Sequence, residues 1–261
     1  MRIFELDVKV SVRDAFADLI EDYELEMNQP IVDMLNTATK VGNECRRFID
    51  QTRPGQVIYR GMHVDGDDAI LKKNVRLDAR MPADSTDDAH EFVNDYFREH
   101  YGAPFRNAMF ATGKAYWAAS YGQPYIVYPV GEFDFIWSKT IKDLWVVSGS
   151  FRKQRMDYRR YERNVALGNE ITANQATAPD LWAKAQEQYE KLVLSQYQLT
   201  DLSKAIESGH EIMIRSKSYY AISFARLAKE YDKFETMKPM AVYQVQEKME
   251  VIFDEIIRDM I

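Results

Sequence analysis

A guanidinium, a hydroxyl and a carboxylate stand at the ends of three short apolar runs. Arg60 closes "VIYRG", Thr112 closes "MFATG" and Glu211 opens "EIMIRS". A carboxylate at the mouth of a buried strand is costly, because loss of water penalises the charged form and raises its pKa. Glu211 is therefore either a solvated strand end or a group that faces a site.

Other chemistries find little support. The four histidines, His63, His90, His100 and His210, are scattered. Only His90 and His100 share a predicted helix, at a spacing that puts them on different faces, so no metal site is expected. The single cysteine, Cys45, excludes an internal disulfide and a thiolate zinc site and suits a reducing compartment. It lies in a helical pattern and reads as a core thiol rather than a nucleophile. No serine sits in a nucleophile-elbow context, and no glycine-rich strand-to-helix fingerprint or phosphate loop occurs.

The elements that must carry the three polar residues follow from periodicity. "MRIFELDVKV" alternates like a strand and lacks the apolar core of a signal peptide. Two amphipathic helices follow, one capped by Ser11 and one running from Pro30 through "VGNECRRFID". "RPGQVIYRGM" is a turn feeding a strand, and "DSTDDAHEFVNDYFREHYG" is a helix that Gly102 stops. The stretch 107–138 holds a strand, a short helix and two more strands. A largely helical segment from Lys139 to Ser203 precedes strands at Glu211–Arg215 and Tyr219–Ser223, and Val245, Met249, Ile252, Phe253 and Ile256 mark a C-terminal helix. The expected division is a helical cap over 1–53, a core over 54–228 with an insertion at about 139–203, and a packed helix over 229–261.

At 261 residues, 46% hydrophobic and 29% charged, the chain can bury a real core as a globular protein. Its formal charge of −7 and pI near 5.3 disfavour a broad nucleic-acid grip. The basic run Ser150–Asn164 is read first as a solvated helix face and second as a surface for an anionic partner. No apolar run approaches the ~20 residues of a bilayer span, so a cytoplasmic protein without a membrane partner is expected.

The order Arg60, Thr112, Glu211 on strand ends resembles the mono-ADP-ribosyltransferase superfamily, whose arginine-type branch carries an Arg, Ser and Glu triad. "VIYRGM" is similar to its first-strand Arg motif, and "EIMIRSKSYYAIS" to the closing segment that begins with its Glu. "FATGKAYWAASYG" with "PYIVYPV" is similar to its middle strand, helix and strand. "YPVGEFDFIWSKTIKDL" is similar to bacteriophage ADP-ribosyltransferase-like proteins. The resemblance spans roughly Gly55 to Phe224.

It implies an α+β fold with two short packed sheets around an NAD cleft, and NAD-dependent transfer of ADP-ribose to a macromolecule, a host protein if the phage likeness holds. NAD is then a substrate, with Gly61 beside Arg60 on the cofactor strand. Departure of nicotinamide leaves an oxocarbenium-like ribose, which Glu211 would stabilise while holding the 2′-hydroxyl. Arg60 would clamp the pyrophosphate through paired hydrogen bonds. Thr112 would brace the ribose and the Glu211 carboxylate, and Tyr59 and Tyr121 could wall a flat ring or be core tyrosines.

The departures concern the acceptor. Arginine-modifying members carry an acid or amide two residues before the catalytic Glu, and this chain has Gly209 there. Glu207 is the nearest substitute, and His210 is a further acceptor-side candidate. NAD hydrolysis, and a non-catalytic phage structural or interaction protein on the same fold, are the alternatives.

Overall fold

Aromatic and β-branched runs with two-residue alternation make the strands of this chain, and three-to-four-residue spacing of apolar groups makes its helices. The structure, a computed structural model, describes residues 29–66, 68–78, 87–144, 186–187, 189–229 and 239–259. The expected first strand, the helix capped by Ser11, the basic run Ser150–Asn164 and most of the expected insertion lie outside the described residues. The strands are β1 (Tyr59–Met62), β2 (Ile70–Asn74), β3 (Met109–Thr112), β4 (Gln123–Pro129), β5 (Phe133–Ser138), β6 (Tyr197–Gln198), β7 (Glu211–Ser216) and β8 (Ser218–Ile222). The helices used below are α1 (Gln29–Glu44), α2 (Arg46–Gln51), α3 (Asp87–Tyr101), α4 (Ala115–Ala118), α5 (Leu202–Ser208), α6 (Phe224–Lys229) and α7 (Pro239–Asp259).

The fold is α+β. Its described residues form two units, one from 29–74, 114–133 and 217–259, the other from 75–113 and 134–216. Each unit contributes four strands, and all eight belong to one sheet, so the two short packed sheets that the resemblance implies are not what the chain forms.

In the first unit the strand order is β2-β8-β4-β1. Its described pairings are antiparallel, with Ile70 opposite Ile222, Ile126 opposite Ile222, and Tyr59 opposite Ile126. One face of this sheet meets α1, α2 and α7. Phe253 of α7 lies 6.0 Å from the Tyr128 ring and 5.6 Å from Phe224, and Phe48 packs edge-on to Tyr128. Met249, Phe253, Ile256 and Ile257 are buried at helical spacing, so α7 contributes a continuous apolar stripe. Arg258 donates to the carbonyls of Ile49, Thr52 and Arg53 at 2.9–3.1 Å, giving the C-terminus of α2 the cation it favours. Asp254, itself buried, accepts from Arg258 Nε at 2.9 Å and from Gly55 N at 2.8 Å.

Cys45 falls in a break between α1 and α2 rather than within a helix, because its φ of −110° and ψ of 16° interrupt the run. Its thiol is buried and approaches the Tyr128 carbonyl at 3.6 Å.

In the second unit the order is β3-β7-β5-β6. Val93, Phe97, Phe105, Ile136, Leu194, Tyr197 and Met213 belong to one buried cluster under this sheet and α3. Gly102 ends α3 at φ +79°, a conformation that favours glycine. Strands β2 and β6 were not expected from sequence. The first carries Lys72 and Lys73 on an edge, and the second is two residues long, so neither has an apolar run to announce it.

Candidate functional site

In the first unit, Tyr59 and Arg60 point to opposite faces of β1, as successive strand residues must. Tyr59 donates its hydroxyl to Glu250 Oε2 on α7 at 2.9 Å, which places it on the helix-covered face. Arg60 takes the other face, opposite Tyr125 in the β1–β4 register. Burial draws its guanidinium below the ordinary value, while the charge and hydrogen bond of Tyr219 raise it. Tyr219 also reaches Met62 Sδ at 3.5 Å, so the ring that meets Arg60 is held by the same strand.

Gly61 is glycine for a packing reason. A Cβ there would overlap the Ala118 carbonyl oxygen and come within 2.9 Å of the Tyr121 backbone carbonyl carbon. The turn after α4 thus rests directly on β1. Tyr121 itself is 54% exposed, beside exposed Tyr116 and Trp117, so its ring is a surface group in this structure.

In the second unit, β3 and β7 run antiparallel with Thr112 directly opposite Glu211. The hydroxyl strand and the carboxylate strand singled out from sequence are therefore neighbours. Thr112 is buried, and its hydroxyl donates to the Gly209 carbonyl at 2.7 Å. Its one proton braces the turn that delivers Glu211 to the strand. Glu211 is half-buried; its N–H donates to Lys142 O at 2.8 Å, and the Leu144 N–H reaches its Oε1 at 3.4 Å. The carboxylate is thus neither a freely solvated strand end nor sealed in the core.

Gly209 does not lie on the strand, which corrects the geometry expected for the missing acid. It caps α5 in the left-handed region, at φ 69° and ψ 11°, with its N–H on Ile206 O at 3.2 Å. The two-residue face rule therefore does not apply between Gly209 and Glu211. Glu207 is exposed in the last turn of α5. His210 donates Nδ1–H to the Ser138 carbonyl at 2.8 Å, which fixes the ring against the end of β5. Gly113, next to Thr112, lies so close to Ile206 that a Cβ would overlap that residue's carbonyl oxygen.

Two residues of this unit escaped the sequence reading. Arg106 is 6% exposed, with its guanidinium stacked 5.2 Å from the Phe110 ring centroid. Tyr197 is 5% exposed, and its hydroxyl has no hydrogen-bond partner among the described residues. Burial pushes that phenol well above its ordinary value; Glu211 and Tyr189 push the same way, Arg106 opposes, and Asp143 adds to the rise. The only local signal was an arginine inside the apolar stretch "PFRNAMF".

Among the described residues no group of three or more His, Cys, Asp or Glu could hold a metal ion, and no helix is long and apolar enough to cross a membrane. No protein-family model matches the chain, and neither a curated protein nor a solved structure is similar to it.

Proposed function

We propose that the chain is an NAD-dependent mono-ADP-ribosyltransferase that cleaves the nicotinamide–ribose bond and passes ADP-ribose to a macromolecular acceptor, a host protein in the phage setting. The observation that carries this reading is the pairing of Thr112 with Glu211 in the β3–β7 register. A half-buried carboxylate beside a hydroxyl strand suits stabilisation of the positive charge that grows on ribose as a neutral pyridine leaves. Arg60, half-buried on a strand face and hydrogen-bonded to Tyr219, is assigned the pyrophosphate.

A second reading, NAD hydrolysis, is favoured by one observation. Gly209 is a left-handed helix cap, so the position that would carry an acceptor-activating acid serves the chain turn instead. Incubating the protein with NAD labelled in its adenylate half, together with host lysate, tests both. Label on a macromolecule supports transfer, free ADP-ribose alone supports hydrolysis, and unconsumed NAD removes both in favour of a non-catalytic interaction protein.

A further inference from the structure

After β5 the chain forms neither helix nor strand from Lys139 to Asp143, so its backbone groups need partners outside a ladder. Ser138 supplies the first of them. Its Oγ accepts the N–H of Thr140 at 3.2 Å and that of Ile141 at 3.0 Å, which folds the chain into a tight turn directly behind the strand. Ser138 and Leu144 are fully buried, Leu144 within the apolar cluster of the second unit, and Ile141 packs against that cluster. The segment 138–144 is therefore a strap fastened at both ends.

The strap leads to Glu211. Lys142 O accepts the Glu211 N–H at 2.8 Å, and two residues further on the Leu144 N–H reaches Glu211 Oε1 at 3.4 Å. Thr112 is paired with Glu211 on the opposite edge of β7. The backbone of Glu211 is thus held from both sides, and its carboxylate receives a donor whose place depends on how the strap is folded. The carbonyl of Ser138 meanwhile accepts the Nδ1–H of His210, the residue before Glu211, at 2.8 Å. Ser138 acts on both segments that meet at Glu211: its hydroxyl shapes the strap, and its carbonyl pins the approach to β7.

We infer that Ser138 is a positioning residue for the Glu211 carboxylate, acting through the strap that carries the Leu144 N–H to it. The catalytic consequence rests on the transferase reading. A carboxylate that stabilises a growing positive charge works best when its direction is fixed before the charge develops, and a backbone donor on one oxygen fixes it without removing its charge. Ser138 touches no substrate in this assignment. With alanine at 138 the turn loses its acceptor, and the Leu144 N–H is no longer held in place.

Amide NMR of the intact, isotope-labelled protein reads this contact without NAD. An amide proton bonded to a carboxylate moves as that carboxylate ionises, so the Leu144 signal is expected to shift between acid and neutral pH. The part of the shift that Glu211→Gln removes belongs to Glu211 rather than to Asp143, Lys142 or His210 nearby. Ser138→Ala is expected to shrink that part severalfold, and Ser138→Thr, which keeps the hydroxyl, to restore it. An undiminished shift in Ser138→Ala overturns the inference. Should Ser138→Ala not fold, His210→Ala, which cuts the other tie to Ser138, decides by the same signal: a reduced shift supports the assignment and an unchanged one overturns it. With NAD, Ser138→Ala is expected to lower kcat at least tenfold while KM stays near the parent value, and Ser138→Thr to recover kcat. NAD left unconsumed by the parent protein, while its Leu144 shift depends on Ser138, rejects the transferase reading alone. Normal kcat in Ser138→Ala, together with an undiminished Leu144 shift, rejects the positioning role alone.

Discussion

Thr112 faces Glu211 across the β3–β7 ladder, and its hydroxyl donates to the carbonyl of Gly209, two residues ahead of that carboxylate. One threonine therefore sets both the register of the strand and the turn that starts it. Removing the hydroxyl leaves a buried carbonyl short of a partner, so Thr112→Val is expected to cost ~1–3 kcal/mol. Glu211→Gln keeps the side-chain volume and a hydrogen-bonding group, so it is expected to abolish NAD turnover while NAD binding and Tm stay near the parent values. Turnover and Tm measured on both variants check this; a Glu211→Gln protein that turns over NAD normally per folded molecule returns Glu211 to a structural role.

Arg60→Lys replaces a planar fork by a point charge in a half-buried position beside Tyr219. NAD affinity is expected to fall at least tenfold with the melting temperature little changed. Titration of the variant with NAD checks it, and near-normal affinity removes Arg60 from the pyrophosphate role.

Gly61 and Gly113 each sit where a Cβ would strike a carbonyl oxygen, that of Ala118 and that of Ile206. Backbone cannot yield as a side-chain tip does. Gly61→Ala and Gly113→Ala are expected to destabilise by ~1–3 kcal/mol or more each, typical of overpacking. Denaturant midpoints measure it, and an unchanged midpoint in either variant contradicts the close approach.

Gly209→Glu would install the acid that arginine-modifying ADP-ribosyltransferases carry two residues before their catalytic Glu, but at a helix cap with φ 69°. A side chain in this region is expected to cost ~1–2 kcal/mol, and because the residue precedes the strand, no arginine-directed transfer is expected to appear. Mass spectrometry of modified host proteins reads the second point. Arginine adducts gained by Gly209→Glu would show that this position does serve the acceptor.

Burial pushes the Cys45 thiol from its ordinary 9.0 up to about 12, with Glu44 adding to the rise and Lys72 opposing it. The folded value lies above the unfolded one. Its contribution to stability is therefore complete below pH 9 and is lost as pH rises towards about 12, because only the unfolded chain then ionises. Iodoacetamide labelling should follow global unfolding at neutral pH, and Cys45→Ala should flatten the alkaline fall in stability. Rapid labelling of the native protein would refute the buried thiol.

Much of this molecule is legible locally. The short apolar runs "YIVY" and "FDFIW", the stop of α3 at Gly102, the apolar stripe of α7 and the inert character of Cys45 follow from strand and helix periods, backbone preferences and composition, none of which needs a distant residue. The α+β class follows from the same signals, and so does the presence of Thr112 and Glu211 at strand ends; Arg60, expected to close its strand, is instead the second residue of β1.

The tertiary structure decided what those residues face. Sequence could place Thr112 and Glu211 on strands, but only the ladder made them opposite neighbours, since pairing partners are chosen by burial across the whole sheet. It also turned Tyr59 towards α7 and Arg60 away from it, a choice that depends on which face the helices cover. Gly209 looked like a strand residue until the helix before it fixed its left-handed backbone. Arg106 was not singled out from sequence; its stacking on Phe110 and the bond from its N–H to Asn94 hold it among buried residues, contacts between segments that no local pattern encodes.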